Sequence, residues 1–323
     1  MTLKICLGAR DWDYLTPLLL GDVSSPRMTV EINRISSMPA EIGRGSEYNA
    51  VETSFSRHLT AVENGDHRAI AIPNFLMRGF RHACIITRKN SPLTTIESLA
   101  GKRIGVTGWR DSGNTWTRAI LRQSGVMTED AYWYAGRLTK DHPIQDRLGE
   151  FGQPGRIEPM PGEEPMMKSL SDGWLDAVFT PFMPEGFFGR SSEFRQLLPD
   201  CRSAQKSYFD EVGYVPGIHM LTLDREVAHA YPWAAQELSD LIDRSRKMWT
   251  TKRRRYADTT PFIMDELLFT ASSLPATWDD SGLQNNHKMA ADFMVQMYDQ
   301  NILPKPLTVE DVFGYERDVM ETA

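Results

Sequence analysis

Residues 80–109 read FRHACIITRKNSPLTTIESLAGKRIGVTGW, and the architecture follows from them. His82–Arg88 is a run of apolar and β-branched residues, the signature of a buried strand. Thr94-Thr95-Ile96-Glu97 is a capping-box pattern that opens a helix, and Gly101 supplies its C-cap. Lys102–Thr107 is a second strand, and Gly113–Gln123 reads as a helix. The same alternation continues outward. Upstream lie strands at Lys4–Leu7, Thr29–Ile32 and Ala50–Thr53, a helix over about 54–64, and an apolar strand at Ala69–Pro73 that proline ends. Downstream come a short helix at Glu163–Asp172 and strands at Ala177–Thr180 and Gly217–Leu223. Helices follow over parts of Glu226–Tyr256, Phe262–Ser272 and Leu283–Asn301. Gly149–Gly162, with three prolines, is a loop. Strands alternating with helices imply an α/β fold with largely parallel sheets.

The chain has 323 residues, enough for two domains or one large one. Its 41% hydrophobic and 24% charged residues are globular proportions and exclude a disordered or fibrous chain. A net charge of −7 gives no basic surplus for general nucleic-acid binding. Lys252-Arg253-Arg254-Arg255 is the longest basic run and reads as a solvated helix face. Cys6, Cys84 and Cys201 are odd in number and widely spaced. They suit neither a disulfide framework nor a zinc site, and point to a reducing compartment. The start, MTLKICL followed by Arg10, Asp11 and Asp13, is not a secretory leader. No apolar stretch approaches the roughly 18 residues that span a bilayer. The expected location is the cytoplasm, with no membrane or nucleic-acid partner; homo-oligomerisation stays open.

Taken in order, AIAIPNF, FRHACIITR and TTIESLAGKRIGVTGW, then GIHMLTLDREVAHAYPWAAQEL over Gly217–Leu238, resemble the type II periplasmic binding protein-like superfamily. Within it, several pieces resemble 4,5-dihydroxyphthalate decarboxylase-like proteins: Phe80-Arg81-His82, Arg156-Ile157-Glu158-Pro159, Asp172–Ala177, and Gly213-x-x-Pro216-x-x-His219 followed by Pro232-Trp233. The likeness runs from Leu3 to Phe313. The chain departs from the pattern at Phe179–Pro184 and at Thr53–Arg57, where the resemblance puts the pocket wall.

The resemblance implies a two-lobed α/β fold with two crossing strands, near Arg81–Arg88 and Val215–Leu223. Lobe one would hold residues 1–86 and 216–323, and lobe two residues 87–215. It implies a carbon–carbon lyase that decarboxylates a hydroxylated aromatic carboxylate, such as 4,5-dihydroxyphthalate, without a cofactor. A non-catalytic small-molecule binding protein or sensor, or another cytosolic lyase on the same fold, remains the alternative, because one fold hosts many functions.

Decarboxylation of a hydroxylated aromatic acid requires protonation of the ring carbon that bears the carboxylate. It calls for an acid, a partner for the phenolate oxygen, and cations or amides for a carboxylate. Histidine suits the first two roles and arginine the third. His82 and His219, one on each presumed crossing strand, are the candidate acid and phenolate partner. They are expected to face one inter-lobe cleft; the alternative for each is a core histidine with one backbone hydrogen bond. Glu52, ending a short strand, is a candidate base; the alternative is a surface or salt-bridged carboxylate. Arg81 is a candidate carboxylate ligand, although strand alternation puts it opposite His82 unless the strand starts there or bends. Ser112, Asn114 and Thr115 would cap a helix whose amides could hold a carboxylate. Arg10, in the loop after the first strand, could also contact the ligand. No HxH or HxxE spacing supports a metal site.

Overall fold

The computed structural model describes residues 2–39, 42–43 and 45–315. The strands are β1 (Leu3–Ala9), β2 (Met28–Arg34), β3 (Ala50–Ser54), β4 (Ala69–Arg78), β5 (Ile85–Arg88), β6 (Arg103–Val106), β7 (Tyr132–Ala135), β8 (Ile157–Pro159), β9 (Ala177–Phe179), β10 (Phe194–Gln196) and β11 (Gly217–Asp224). The helices are α1 (Thr16–Leu19), α2 (Phe55–Glu63), α3 (Ser112–Gln123), α4 (Met166–Ser171), α5 (Cys201–Val212), α6 (Arg225–Ala230), α7 (Ala234–Arg255), α8 (Ile263–Ser273), α9 (Leu283–Asp299) and α10 (Val309–Phe313). Among the described residues, no helix is long and apolar enough to cross a membrane.

The chain divides into two compact units. Unit one comprises Met1–Arg78, Gly217–Asp292 and Leu307–Ala323; unit two comprises Gly79–Pro216 and Phe293–Pro306. These bounds differ from the sequence division at residues 79–86, 216 and 293–306, which group with unit two. The chain passes between the units four times; β4 ends at the first passage and β11 begins at the second, so both strands lie within unit one.

Unit one is built on a five-stranded sheet in the order β2-β1-β3-β11-β4. β1 runs parallel to β2 and β3, and β11 runs antiparallel to β3 and β4. Along β1, Ile5, Leu7 and Ala9 alternate inward. They join Ile70, Ile72, Leu221 and Leu223 in a core closed by Leu238, Leu241 and Ile242 of α7. Burying each such side chain contributes roughly 1.5–3 kcal/mol. Pro73 does not end β4 as expected; the strand continues to Arg78. β4 lies at the sheet edge, where a residue without an N–H leaves no ladder bond unmade. The β11/β4 pairing shifts register on both sides of His219. Irregularities of this kind re-aim a side chain.

Unit two carries a six-stranded sheet in the order β10-β5-β9-β6-β7-β8. β9, β6, β7 and β8 run parallel to one another, and β5 is antiparallel to both β9 and β10. A Cβ on Gly105 of β6 would lie 2.8 Å from Met166 Sδ and 2.9 Å from Leu175 Cδ1. The GKRIGV glycine therefore lets the following layer sit against the strand.

Three local expectations change. His82–Arg88 is not one strand: His82–Cys84 forms a 3-10 turn, and β5 begins at Ile85. The capping-box segment yields only a 3-10 turn at Glu97–Leu99. Ser98 N–H does donate to Thr95 Oγ1 (3.3 Å), and Gly101 adopts φ +73°, but three residues between those signals are too few for a stable α-helix. β8 lies inside the stretch read as loop.

Candidate functional site

Glu52 and His219 come together in unit one through sheet register. β11 places Leu221 opposite Glu52 and His219 opposite Ser54, so the two side chains are diagonal neighbours on one face, within reach for long side chains. The Glu52 side chain is fully buried, and the His219 side chain is 12% exposed. Glu52 Oε1 lies 2.6 Å from His219 Nδ1. Glu52 Oε2 accepts from the Arg10 backbone N–H (2.9 Å) and from Trp12 Nε1 (2.8 Å). The candidate base is thus no surface group: it is fully buried and both its oxygens are occupied. A carboxylate takes a proton donor at Nδ1, which leaves Nε2 as the nitrogen free of Glu52. Arg10 contributes here through its backbone N–H. The sequence reading passed over Trp12; its only signal there was its place in the loop that follows β1.

Arg81, His82 and the start of α3 belong to unit two. Because His82 opens a 3-10 turn, the strand alternation that would separate it from Arg81 does not apply. Arg81 is 1% exposed, and its Nε and Nη2 have no hydrogen-bond partner among the described residues. A Cβ on Gly113 would sit 2.8 Å from Nη2 and 3.4 Å from Nε. The guanidinium edge therefore lies against the first turn of α3, in space that only glycine leaves. The N-cap is Asp111, with no side-chain cap bond, and the first intrahelical bond runs from Thr115 N–H to Asp111 O (2.9 Å). The earlier first-turn N–H groups have no acceptor within the helix. Burial holds the Arg81 pKa below its usual value, partly offset by Cys84 and Asp111. Asp111 itself is paired with Arg147 (3.1 Å).

The side chains of Asn114 and Thr115 are spent on the loop before α3. Asn114 Nδ2 donates to Gly108 O (2.8 Å) and Thr107 Oγ1 (3.2 Å), and Thr115 Oγ1 donates to Asp111 O (3.2 Å). Ser112 is buried at the head of the helix. Arg118, also on α3, went unnoticed in the sequence. It is fully buried, stacks 4.1 Å over Trp109, and donates to neutral acceptors, Gln300 Oε1 (2.7 Å) and Trp109 O (2.6 Å). Neither Arg81 nor Arg118 is paired with a carboxylate among the described residues. A buried cation against a helix N-terminus, as Arg81 is, opposes the helix dipole, so an anion is favoured there.

His82 is buried, and its Nδ1 lacks a hydrogen-bond partner among the described residues. Burial lowers its pKa to about 4, so it is neutral at physiological pH. Its ring meets Tyr208 edge-on at 5.4 Å, and Tyr208 also meets Phe80 and Tyr214. α5, which carries Tyr208, went unread in the sequence, although Asp200 caps it through Ser203 N–H and Gly213 ends it at φ +81°. Among the described residues, no group of three or more His, Cys, Asp or Glu side chains is arranged to hold a metal ion.

No family model matches the chain. It is 24% identical over 322 residues to 4,5-dihydroxyphthalate decarboxylase of Comamonas testosteroni, covering 96% of each chain. It is 27% identical over 172 residues to 4,5-dihydroxyphthalate decarboxylase of Pseudomonas putida, covering 53% of this chain and 67% of that one. Among solved structures, the periplasmic aliphatic sulphonate binding protein SsuA of Escherichia coli superposes with a TM-score of 0.58 at 12% identity, covering 97% of this chain and all of its own. The alkanesulfonate-binding protein SsuA of Xanthomonas axonopodis gives 0.55 at 14% identity, covering 95% and 97%. The chain therefore has the periplasmic binding protein-like fold and is similar, over 96% of its length, to a 4,5-dihydroxyphthalate decarboxylase.

Proposed function

We propose that the protein is a carboxy-lyase that removes CO2 from a hydroxylated aromatic carboxylate of the 4,5-dihydroxyphthalate kind. The observation that carries this reading is the near-full-length similarity to a decarboxylase of that substrate. The side chains supply what the chemistry needs. Arg81 offers the Nε/Nη2 edge that binds a carboxylate through two parallel hydrogen bonds, and the first turn of α3 adds N–H groups and dipole. His219 gives a proton from Nε2 to the ring carbon bearing the departing carboxylate. Glu52 balances the positive imidazole ring before the transfer; the C–H bond forms first and leaves the imidazole neutral, with its remaining proton on Nδ1. The bond from carbon to carboxylate then breaks, its electron pair restores the aromatic ring, and CO2 leaves. One proton is consumed for each CO2 released. His82, neutral because it is buried, hydrogen-bonds a ring oxygen.

The test is incubation of the purified protein with a panel of hydroxylated benzoates and phthalates, scored for CO2 and for the ring product. For 4,5-dihydroxyphthalate the product is 3,4-dihydroxybenzoate. His219→Ala lowers kcat by about 10²–10⁴, the usual worth of a general acid. Ligand-induced stabilisation by these acids with no product from any of them would instead make the protein a binding module of the same fold.

A further inference from the structure

Three hydrogen bonds converge on the buried Glu52 carboxylate, two from the loop after β1 and one from β11. We propose that Trp12 and Glu52 are positioning residues that together set the tautomer and aim of His219; this rests on the reading of His219 as the proton donor. Glu52 sits on β3, the middle strand of the unit-one sheet, with β1 on one side and β11 on the other. From β11, His219 presents Nδ1 to Oε1 at 2.6 Å. From the loop after β1, Arg10 N–H and Trp12 Nε1 both donate to Oε2, at 2.9 and 2.8 Å. With Oε2 held at two points, the carboxylate cannot swing, and Oε1 stays in line with the imidazole.

That loop is itself anchored. The Trp12 ring lies parallel to Tyr14 at 6.3 Å, with 6° between the planes. Tyr14 OH donates to Leu76 O (2.6 Å) on β4, its carbonyl accepts from Ser245 Oγ (2.7 Å) on α7, and Arg246 covers its ring at 4.8 Å. The indole N–H is therefore fixed by the unit-one core and not by the ligand. An indole N–H can only donate, and a buried carboxylate can only accept, so the pair holds one arrangement. Its consequence at His219 is a proton at Nδ1 and exchange at Nε2. The same carboxylate stabilises the imidazole when it is charged.

The experiment compares the wild type with Trp12→Phe and Glu52→Gln by steady-state kinetics on the substrate found in the panel. In parallel, 15N NMR of histidine-labelled protein reads the His219 ring nitrogens, with His219→Asn used to assign the signal. Trp12→Phe keeps an aromatic ring beside Tyr14 and removes the N–H along with part of the indole. It lowers kcat about tenfold with KM nearly unchanged, the pattern of lost transition-state stabilisation. Glu52→Gln lowers kcat by about 10²–10⁴ and releases the Nδ1-protonated form, which is seen as a mixed tautomer signal. A wild-type tautomer signal in Glu52→Gln, or a Trp12→Phe effect confined to KM, overturns the proposal. If Glu52→Gln does not fold, Trp12→Phe decides it alone. If no substrate in the panel is decarboxylated, the functional reading fails, whereas the NMR comparison still reports whether Glu52 and Trp12 hold the imidazole.

Discussion

Replacing Arg81 with methionine separates a binding arginine from a structural one. The side chain is 1% exposed, and its Nε and Nη2 donors have no partner among the described residues. It also lies against the N-terminus of α3, where a positive charge is disfavoured. A buried donor without a partner costs about 1–3 kcal/mol, and more when charged. The unliganded protein therefore carries a penalty of at least about 2 kcal/mol for the two donors. Methionine fills similar space without polar atoms and removes that penalty, as happens when buried charges give way to apolar side chains. The expected result is a melting temperature equal to the wild type or higher, by about 2–4 °C per kcal/mol recovered for a unit of this size. Affinity for an aromatic carboxylate moves the other way. Loss of a charge-assisted hydrogen bond removes about 1.5–3 kcal/mol, a rise of about 10- to 150-fold in Kd. Differential scanning calorimetry without ligand and isothermal titration with the carboxylate measure both. A melting temperature lowered by several degrees with unchanged Kd would refute the reasoning, because Arg81 would then stabilise the fold and not bind the anion.

Gly113→Ala tests the same edge from the other side. The new Cβ lands 2.8 Å from Nη2 and displaces the guanidinium, so KM rises severalfold while thermal stability holds, alanine being the better helix former by about 1 kcal/mol; unchanged KM counts against a built carboxylate site. Acid should weaken the fold through two buried histidines. His58 and His82 are buried, and burial lowers each pKa to about 4 from an ordinary value of 6.5, with smaller opposing effects of Asp66 and His67 at His58. The unfolded chain then binds more protons than the folded one, so stability is lost as pH falls from about 6.5 towards 4, by about 2 kcal/mol per histidine between about pH 7 and pH 5. Urea unfolding across that window measures the slope, and His58→Leu removes one of the two steps; a flat profile contradicts the neutral burial of both rings.

The order of strands and helices was legible in the sequence because it depends on local periodicity and on end signals that neighbouring residues supply. GKRIGV declared a strand, and Gly101 declared the left-handed turn before it. The resemblance carried the type of fold and pointed to Arg81, His82 and His219. Local signals failed where tertiary position overrode them. Pro73 is tolerated because β4 is an edge strand, and the capping residues at Thr94–Glu97 had no room for a helix before Gly101. The environment of each site residue came only from the folded chain. Glu52 could be written as a surface carboxylate from its neighbours in sequence. Its burial, and its bonds to Trp12 and His219 at separations of 40 and 167 residues, arise because β1, β3 and β11 pair side by side. The unpartnered edge of Arg81 likewise depends on a glycine 32 positions along the chain that gives the guanidinium its space. Sequence determines which groups are present and the local conformation of each segment. Pairing across the sheet and burial determine which charges meet, which are left without a partner, and so which can do chemistry.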